Sequence, residues 1–269
     1  MKIKIINPNT TEAMTRSIGE AGRSVAREGT EIVCTNPEFG PESIESYYDE
    51  YMAAPGTIDE VLKGDRDGCD AFVIACYGDP GLQGAREATA KPVLGIGEAS
   101  LYTASMLAAR FSVVTVIPRI RTMIEEMVAG YGFAHKCVSV RTTPYYVLDI
   151  ERDPDGALQA LRDEARRAME EDTAEAILLG CAGFASFAAD LERELGIPVL
   201  DGVVCAVKLA EALVDLGKAT SRHFTYRPPE AKRFTGMFQR FGSGSPGQSG
   251  GPQPPEREIG WKTGRIARH

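Results

Sequence analysis

The sequence predicts an α/β protein of two pseudo-symmetric lobes, each a parallel sheet flanked by helices, with the active site in the cleft between them. Short apolar runs rich in β-branched residues alternate with amphipathic stretches of about 10–20 residues, the rhythm of βαβ units. Most of these runs are apolar throughout, as strands buried on both faces are. Residues 70–100 can also be laid over residues 174–206. Each segment reads as buried strand, cysteine, small-residue turn, helix and then Pro-Val-Leu. Two lobes of one topology bring equivalent strand ends face to face, and ligands of such sheets bind beyond the carboxyl ends of the strands.

Taken in order, strands are expected at residues 3–6, 31–35, 71–76, 92–96, 111–117, 137–142, 176–181 and 198–200. Helices are expected between most of them, for example at 10–27 and 155–171. The N-lobe takes residues 1–97 and 205–240 and carries Cys76; the C-lobe takes 98–204 and carries Cys181. The stretch from Gly242 onward is rich in Gly, Pro and Ser and holds the single tryptophan, Trp261. It has too little apolar surface to offset its ordering entropy, so 241–269 is expected to be a disordered tail.

Composition narrows the function. A formal net charge of −8 argues against a nucleic-acid surface or an anionic membrane as partner. No apolar run reaches the roughly 18 residues that span a bilayer. The N-terminus turns polar within a few residues, without the apolar core of a signal peptide, so a cytoplasmic location is expected. The six cysteines, at 34, 69, 76, 137, 181 and 205, form no C-x-x-C pair and suggest no disulfide framework. Three histidines without H-x-x-x-H spacing leave little for a zinc site or a histidine triad. Gly95-Ile96-Gly97 with Ser100 is an incomplete dinucleotide fingerprint, and neither a P-loop nor a G-x-S-x-G elbow occurs. Glu38, Glu42, Glu45, Asp49 and Glu50 read as a solvated loop or helix face.

Cys76 ends the run Phe72-Val73-Ile74-Ala75 and precedes Gly78-Asp79-Pro80-Gly81; Cys181 ends Ile177-Leu178-Leu179-Gly180 and precedes Ala182-Gly183. Both are expected between a strand's carboxyl end and a helix N-terminus, where partial positive charge lowers a thiol pKa from about 8.5. Most free cysteines are inert core residues, and Cys34, Cys69, Cys137 and Cys205 keep that reading. The matched placement of Cys76 and Cys181 separates them from the rest. Inverting a carbon acid needs a proton removed from one face and another delivered to the opposite face, and two groups of similar pKa can exchange those roles.

Asn7-Pro8-Asn9-Thr10-Thr11 follows the first strand; Asn9 or Thr10 can cap the first helix or bind a carbonyl or carboxylate. Asp79 before Pro80 reads as a helix N-cap, with a substrate N–H as its other use. Thr115 stands near a strand mouth, and Gly183 either permits a turn or exposes an N–H.

These motifs resemble the hydantoin racemases of the Asp/Glu/hydantoin racemase superfamily. The resemblance rests on Asn7-Pro8-Asn9-Thr10, on residues 75–82 and 179–184 around the two cysteines, and on 40–45, 48–50 and 114–119. It covers roughly residues 1 to 225. It implies racemisation of a 5-monosubstituted hydantoin, a small cyclic amide, without metal or cofactor, with Cys76 and Cys181 as the catalytic pair. It also implies substrate binding by Asn9, Ser43, Ile44, Asp79, Thr115 and Gly183, largely through backbone, and a homo-oligomer. Allantoin racemases are similar across the same motifs. Val116 departs from a second threonine that many relatives carry, and the tail has no family counterpart. The rival readings are an aspartate or glutamate racemase, a maleate isomerase or arylmalonate decarboxylase, and a non-catalytic metabolite-binding protein of the same fold.

Overall fold

In the computed structural model, residues 1–242 are described. All eight strands form at the expected places: β1 Lys2–Ile6, β2 Glu31–Thr35, β3 Ala71–Ile74, β4 Val93–Gly95, β5 Phe111–Thr115, β6 Cys137–Thr142, β7 Ile177–Leu179 and β8 Val199–Asp201. They make two four-stranded parallel sheets of order β2-β1-β3-β4 and β6-β5-β7-β8. Adding four to each number of the first order yields the second, so the repeat in the sequence is a repeat of topology. The central strands are buried, with Ile3, Ile5, Phe72, Val73, Ile74, Val113, Val114, Ile177 and Leu178 sealed from solvent. Nine α-helices among the described residues flank the sheets.

The ladders also set the position of each cysteine. Ala75 N–H donates to Ile6 C=O and Gly180 N–H donates to Val114 C=O, both at 2.8 Å. The residue before each cysteine therefore makes the last bond of its strand, and the cysteine is the first residue released. Cys76 and Cys181 both lie two residues beyond the assigned end of their strand, β3 and β7.

Helices α4 (Ile96–Leu107) and α9 (Gly202–Asp215) pack on each other, and α9 also packs on β3 and on α1 (Glu12–Val25). The expected lobe boundaries at 97/98 and 204/205 fall inside α4 and α9, because β4 and β8 each pass straight into a helix. Residues Met1–Pro229 form one compact unit holding both sheets. Within it, Arg222 donates to the carbonyls of Arg86, Glu87 and Thr89 at 2.8–2.9 Å. These lie at the C-terminal end of α3 (Leu82–Ala88), so this bond set ties the returning chain to the first lobe. A separate unit starts at Glu230; its described part contains a 3-10 turn, Gly236–Phe241. The expectation for the tail falls, from residue 243 on, outside the described residues.

Two local expectations are corrected. Helix α1 starts at Glu12, with Thr11 and neither Asn9 nor Thr10 at the capping position. Asn9 instead closes a turn just upstream, its Oδ1 accepting from Thr11 N–H at 2.9 Å. Asp79-Pro80 does not open α3, which starts at Leu82 behind Gly81 at φ 79°. Asp79 itself has φ 51°, and its carboxylate serves a different helix.

No helix among the described residues is long and apolar enough to cross a membrane.

Candidate active site

Cys76 and Cys181 line one cavity. Its volume is about 50 Å³, room for about four water-sized bodies at the ~10–15 Å³ each requires. The turns after β3 and β7 supply its two ends: Ala75 to Gly78 from one lobe and Gly180 to Ala182 from the other. Between them stand Asn9, Met14, Ile44 and Val147 and, from the segment after β5, Val116, Ile120, Met123 and Ile124. The last two belong to α5 (Arg121–Gly130).

The wall is apolar, and this decides the state of the thiols. Burial raises both pKa values, that of Cys181 to about 12 and that of Cys76 higher still. The opposing influences are one backbone N–H on each sulfur, Gly78 at Cys76 and Gly183 at Cys181. The expectation of lowered thiol pKa values is thus corrected. A 3-10 turn of six residues follows Cys181, and five residues separate Cys76 from the seven-residue α3. Neither brings a long helix N-terminus onto sulfur, no cation stands among the cavity residues, and desolvation of the thiolate prevails. Burial also raises Cys34, Cys137 and Cys205 to about 11, and Cys69 upward.

The remaining candidates from the sequence separate into two groups. Asn9 and Ile44 reach the cavity wall. Asn9 Nδ2 donates to Met14 Sδ at 3.1 Å, and its Oδ1 also accepts from Asn7 Nδ2 at 2.8 Å. The amide is thus fixed in orientation, with one N–H of its NH₂ committed. Ser43, Asp79, Thr115 and Gly183 are not part of the cavity wall. Thr115 Oγ1, fully buried, donates to Gly180 C=O at 2.7 Å and so holds the residue before Cys181. Gly183 flanks Cys181: a Cβ there would lie 3.6 Å from the sulfur and 3.5 Å from Met14 Cε.

Asp79 is 6% exposed, and both of its oxygens are occupied. Oδ1 accepts from Gly97 N–H at 3.0 Å, and Oδ2 accepts from Glu98 N–H at 2.8 Å and from Tyr131 O–H at 2.8 Å. Its own N–H donates to Cys76 C=O at 2.9 Å. Asp79 therefore caps α4 from outside and holds the Cys76 turn onto that helix. Burial raises its carboxyl to about 7 against these three donors.

Sequence reasoning missed Met14, the α5 residues and the contact between Glu45 and the Val147 backbone beside the cavity. Glu45, expected on a solvated face, accepts from Val147 N–H at 2.7 Å across 102 positions of chain, next to the wall residues Ile44 and Val147. A carboxylate in an acidic stretch carries no local sign of such a partner. Among the described residues no cluster of three or more His, Cys, Asp or Glu is arranged to hold a metal ion.

Comparison with known proteins settles the family. Residues 3–210 match the Asp/Glu/Hydantoin racemase family. The chain belongs to it. A hydantoin racemase of Pseudomonas sp. (strain NS671) is 61% identical over 242 residues, 90% of this chain and 97% of the relative. One from Rhizobium meliloti is 44% identical over 88% of this chain and 98% of the relative. Among solved structures, allantoin racemase from Klebsiella pneumoniae superposes with a TM-score of 0.88 at 44% identity, covering 90% of this chain and 99% of that one. Arylmalonate decarboxylase, at 18% identity and a TM-score of 0.60, shares the fold. As a member of this family the chain is a racemase, an isomerase whose two parallel sheets are those of its structural relatives.

Proposed function

We propose that this racemase inverts C5 of 5-monosubstituted hydantoins, allantoin among them, by two-thiol acid/base catalysis. The observation that carries the reading is the pairing of Cys76 and Cys181 across one small apolar cavity, each released from the matched strand of matched sheets. The names of the relatives support the substrate class.

The ring sits with C5 between the sulfurs. The thiolate of one cysteine takes the C5 proton, and the electron pair moves onto the adjacent ring carbonyl as an enolate. The S–H of the other cysteine then protonates C5 from the opposite face. The first sulfur ends as thiol and the second as thiolate, which is the form that accepts the other enantiomer. Gly78 and Gly183 N–H groups stabilise the thiolates, and the second N–H of Asn9 Nδ2 is available to the enolate oxygen. C5 is flanked by a carbonyl and an amide nitrogen, so its acidity lies within reach of a thiolate.

The test is substitution of each cysteine by serine. Cys76→Ser and Cys181→Ser each lower racemisation by roughly 10²–10⁴-fold or more, read by polarimetry on optically pure substrate. In deuterated buffer each variant still exchanges the C5 hydrogen of one enantiomer. Near-normal racemisation by either variant overturns the two-base reading.

A further inference from the structure

The thiol cavity is apolar inside and acidic at its open side. Of its wall residues, Ile44, Cys76 and Gly78 are half-buried and the others are buried, so solvent reaches the sulfurs past these three. Each flank of that opening has a carboxylate. Glu45, half-buried, follows Ile44, and its Oε1 accepts from Val147 N–H at 2.7 Å. Glu50 lies on α2 (Tyr47–Arg66) and packs on Gly78, where a Cβ would be 3.5 Å from Glu50 Cδ and Oε2. Asp49 fixes the stretch between them, its Oδ2 accepting from Glu45 N–H at 3.1 Å and Ser46 O–H at 2.7 Å.

Among the described residues neither Glu45 nor Glu50 forms an ion pair, and burial holds the Glu50 carboxyl above the usual carboxylate range. Their charges reach the sulfurs. Beyond burial itself, the charge of Glu50 raises the Cys76 pKa and that of Glu45 raises the Cys181 pKa. Asp79 and Asp201 act in the same sense from within the protein. Arg119, exposed, shares a surface hollow with Glu45 and Asp49, yet the side-chain charges that act on Cys181 are acidic.

We propose that Glu45 and Glu50 are specificity residues of this racemase, a charged rim that admits neutral cyclic amides to the sulfurs and repels carboxylates. The inference rests on the racemase reading above, which brings the substrate's carbon to these sulfurs. In a half-buried setting, where the effective dielectric constant is about 20, like charges at short range repel strongly enough to govern entry. A hydantoin ring brings no carboxylate to the rim. An α-amino acid carries one on the reacting carbon, so the same pair of thiols is closed to it by charge before chemistry begins.

The first experiment needs no substrate. Iodoacetate and iodoacetamide are close in size and differ by one negative charge; labelling of Cys76 by each is followed by peptide mass mapping at pH 8. In Glu50→Gln the iodoacetate-to-iodoacetamide rate ratio at Cys76 is expected to rise at least about fivefold over the natural chain. The ratio cancels any change in thiol pKa, which affects both reagents alike. An unchanged ratio overturns the proposal. So does an equal rise in Glu170→Gln, which removes the same charge from an exposed position on α7 (Pro154–Asp172), and so does a Cys76 that neither reagent reaches. The second experiment compares kcat/KM for 5-carboxymethylhydantoin and 5-carbamoylmethylhydantoin, an anion and its neutral isostere. The natural chain should favour the neutral compound, and Glu45→Gln and Glu50→Gln should each narrow that preference at least about threefold. Glutamine at 45 keeps an acceptor for Val147 N–H. Equal rates in the natural chain, or an unaltered preference in both variants, overturn the selection. A natural chain that racemises neither compound nor 5-methylhydantoin overturns the racemase reading itself, while the labelling ratio still judges the rim.

Discussion

The two lobes solve one problem in opposite ways. In each, the last strand of the sheet runs directly into a helix, β4 into α4 and β8 into α9, and the first N–H groups of that helix need acceptors. In the C-lobe the acceptor is local: Asp201, last residue of β8, caps Val204. In the N-lobe the corresponding residue is Gly95, and the acceptor comes from Asp79 in the catalytic turn, which caps Gly97 and Glu98. The glycine is required there, because a Cβ at Gly95 would lie 2.1 Å from the Asp79 carboxyl carbon. Capping is thus coupled to cysteine placement on the Cys76 side alone. On the Cys181 side, Thr115 holds Gly180, and Asp201 caps its own helix.

That asymmetry can be broken by mutation, from the largest effect to the smallest. Gly95→Ala should destabilise most, by about 1–3 kcal/mol or more from overpacking. It should also slow racemisation by displacing the Cys76 turn, as thermal melting and polarimetry would show. An unaltered melting temperature would deny the tight fit. Asp79→Ala removes an acceptor shared by three donors and should cost about 1–2 kcal/mol, the range for lost caps, with a fall in kcat. Asp79→Asn tests the charge. A carboxyl raised to about 7 favours folding while protonated, and that contribution is lost as pH rises through 7. The stability of the natural chain relative to Asp79→Asn should therefore decline between about pH 4 and pH 7 and level off above that, and a constant difference would show that Asp79 does not titrate there. Tyr131→Phe removes one of the three donors and should cost about 1 kcal/mol, with little change in KM.

The thiols supply a prediction that both lobes share. With both pKa values raised by burial, the thiolate fraction is small at neutral pH. The rate kcat/KM should keep rising above pH 8.5, and alkylation by iodoacetamide should accelerate over the same range. A plateau below pH 7.5 would mean that substrate-free burial does not govern the reactive sulfur.

Much of this was legible in the chain. The eight apolar runs became the eight strands because a strand buried on both faces needs a continuous apolar run, and that requirement is local. The two cysteines could be singled out because duplication placed them at the same point of a repeated unit, two residues beyond the assigned strand. The pairing of Glu45 with Val147 was not legible, nor was the contribution of Met14 and α5 to the wall, because these partners lie far apart in sequence and meet only through packing. Asp79 was read as a cap, and it is one. Its helix was misassigned because a cap signature in sequence points to the residues that follow, whereas a positive φ turned this carboxylate onto α4.

The order of residues alone determined the strands, the alternation with helices and the paired cysteines, since each depends on burial pattern or on internal repetition. The tertiary structure decided what those cysteines are: not acidified thiols at helix ends, but desolvated ones facing a shared apolar cavity. A pKa depends on everything within a few ångströms of the sulfur, and most of those neighbours come from distant parts of the chain.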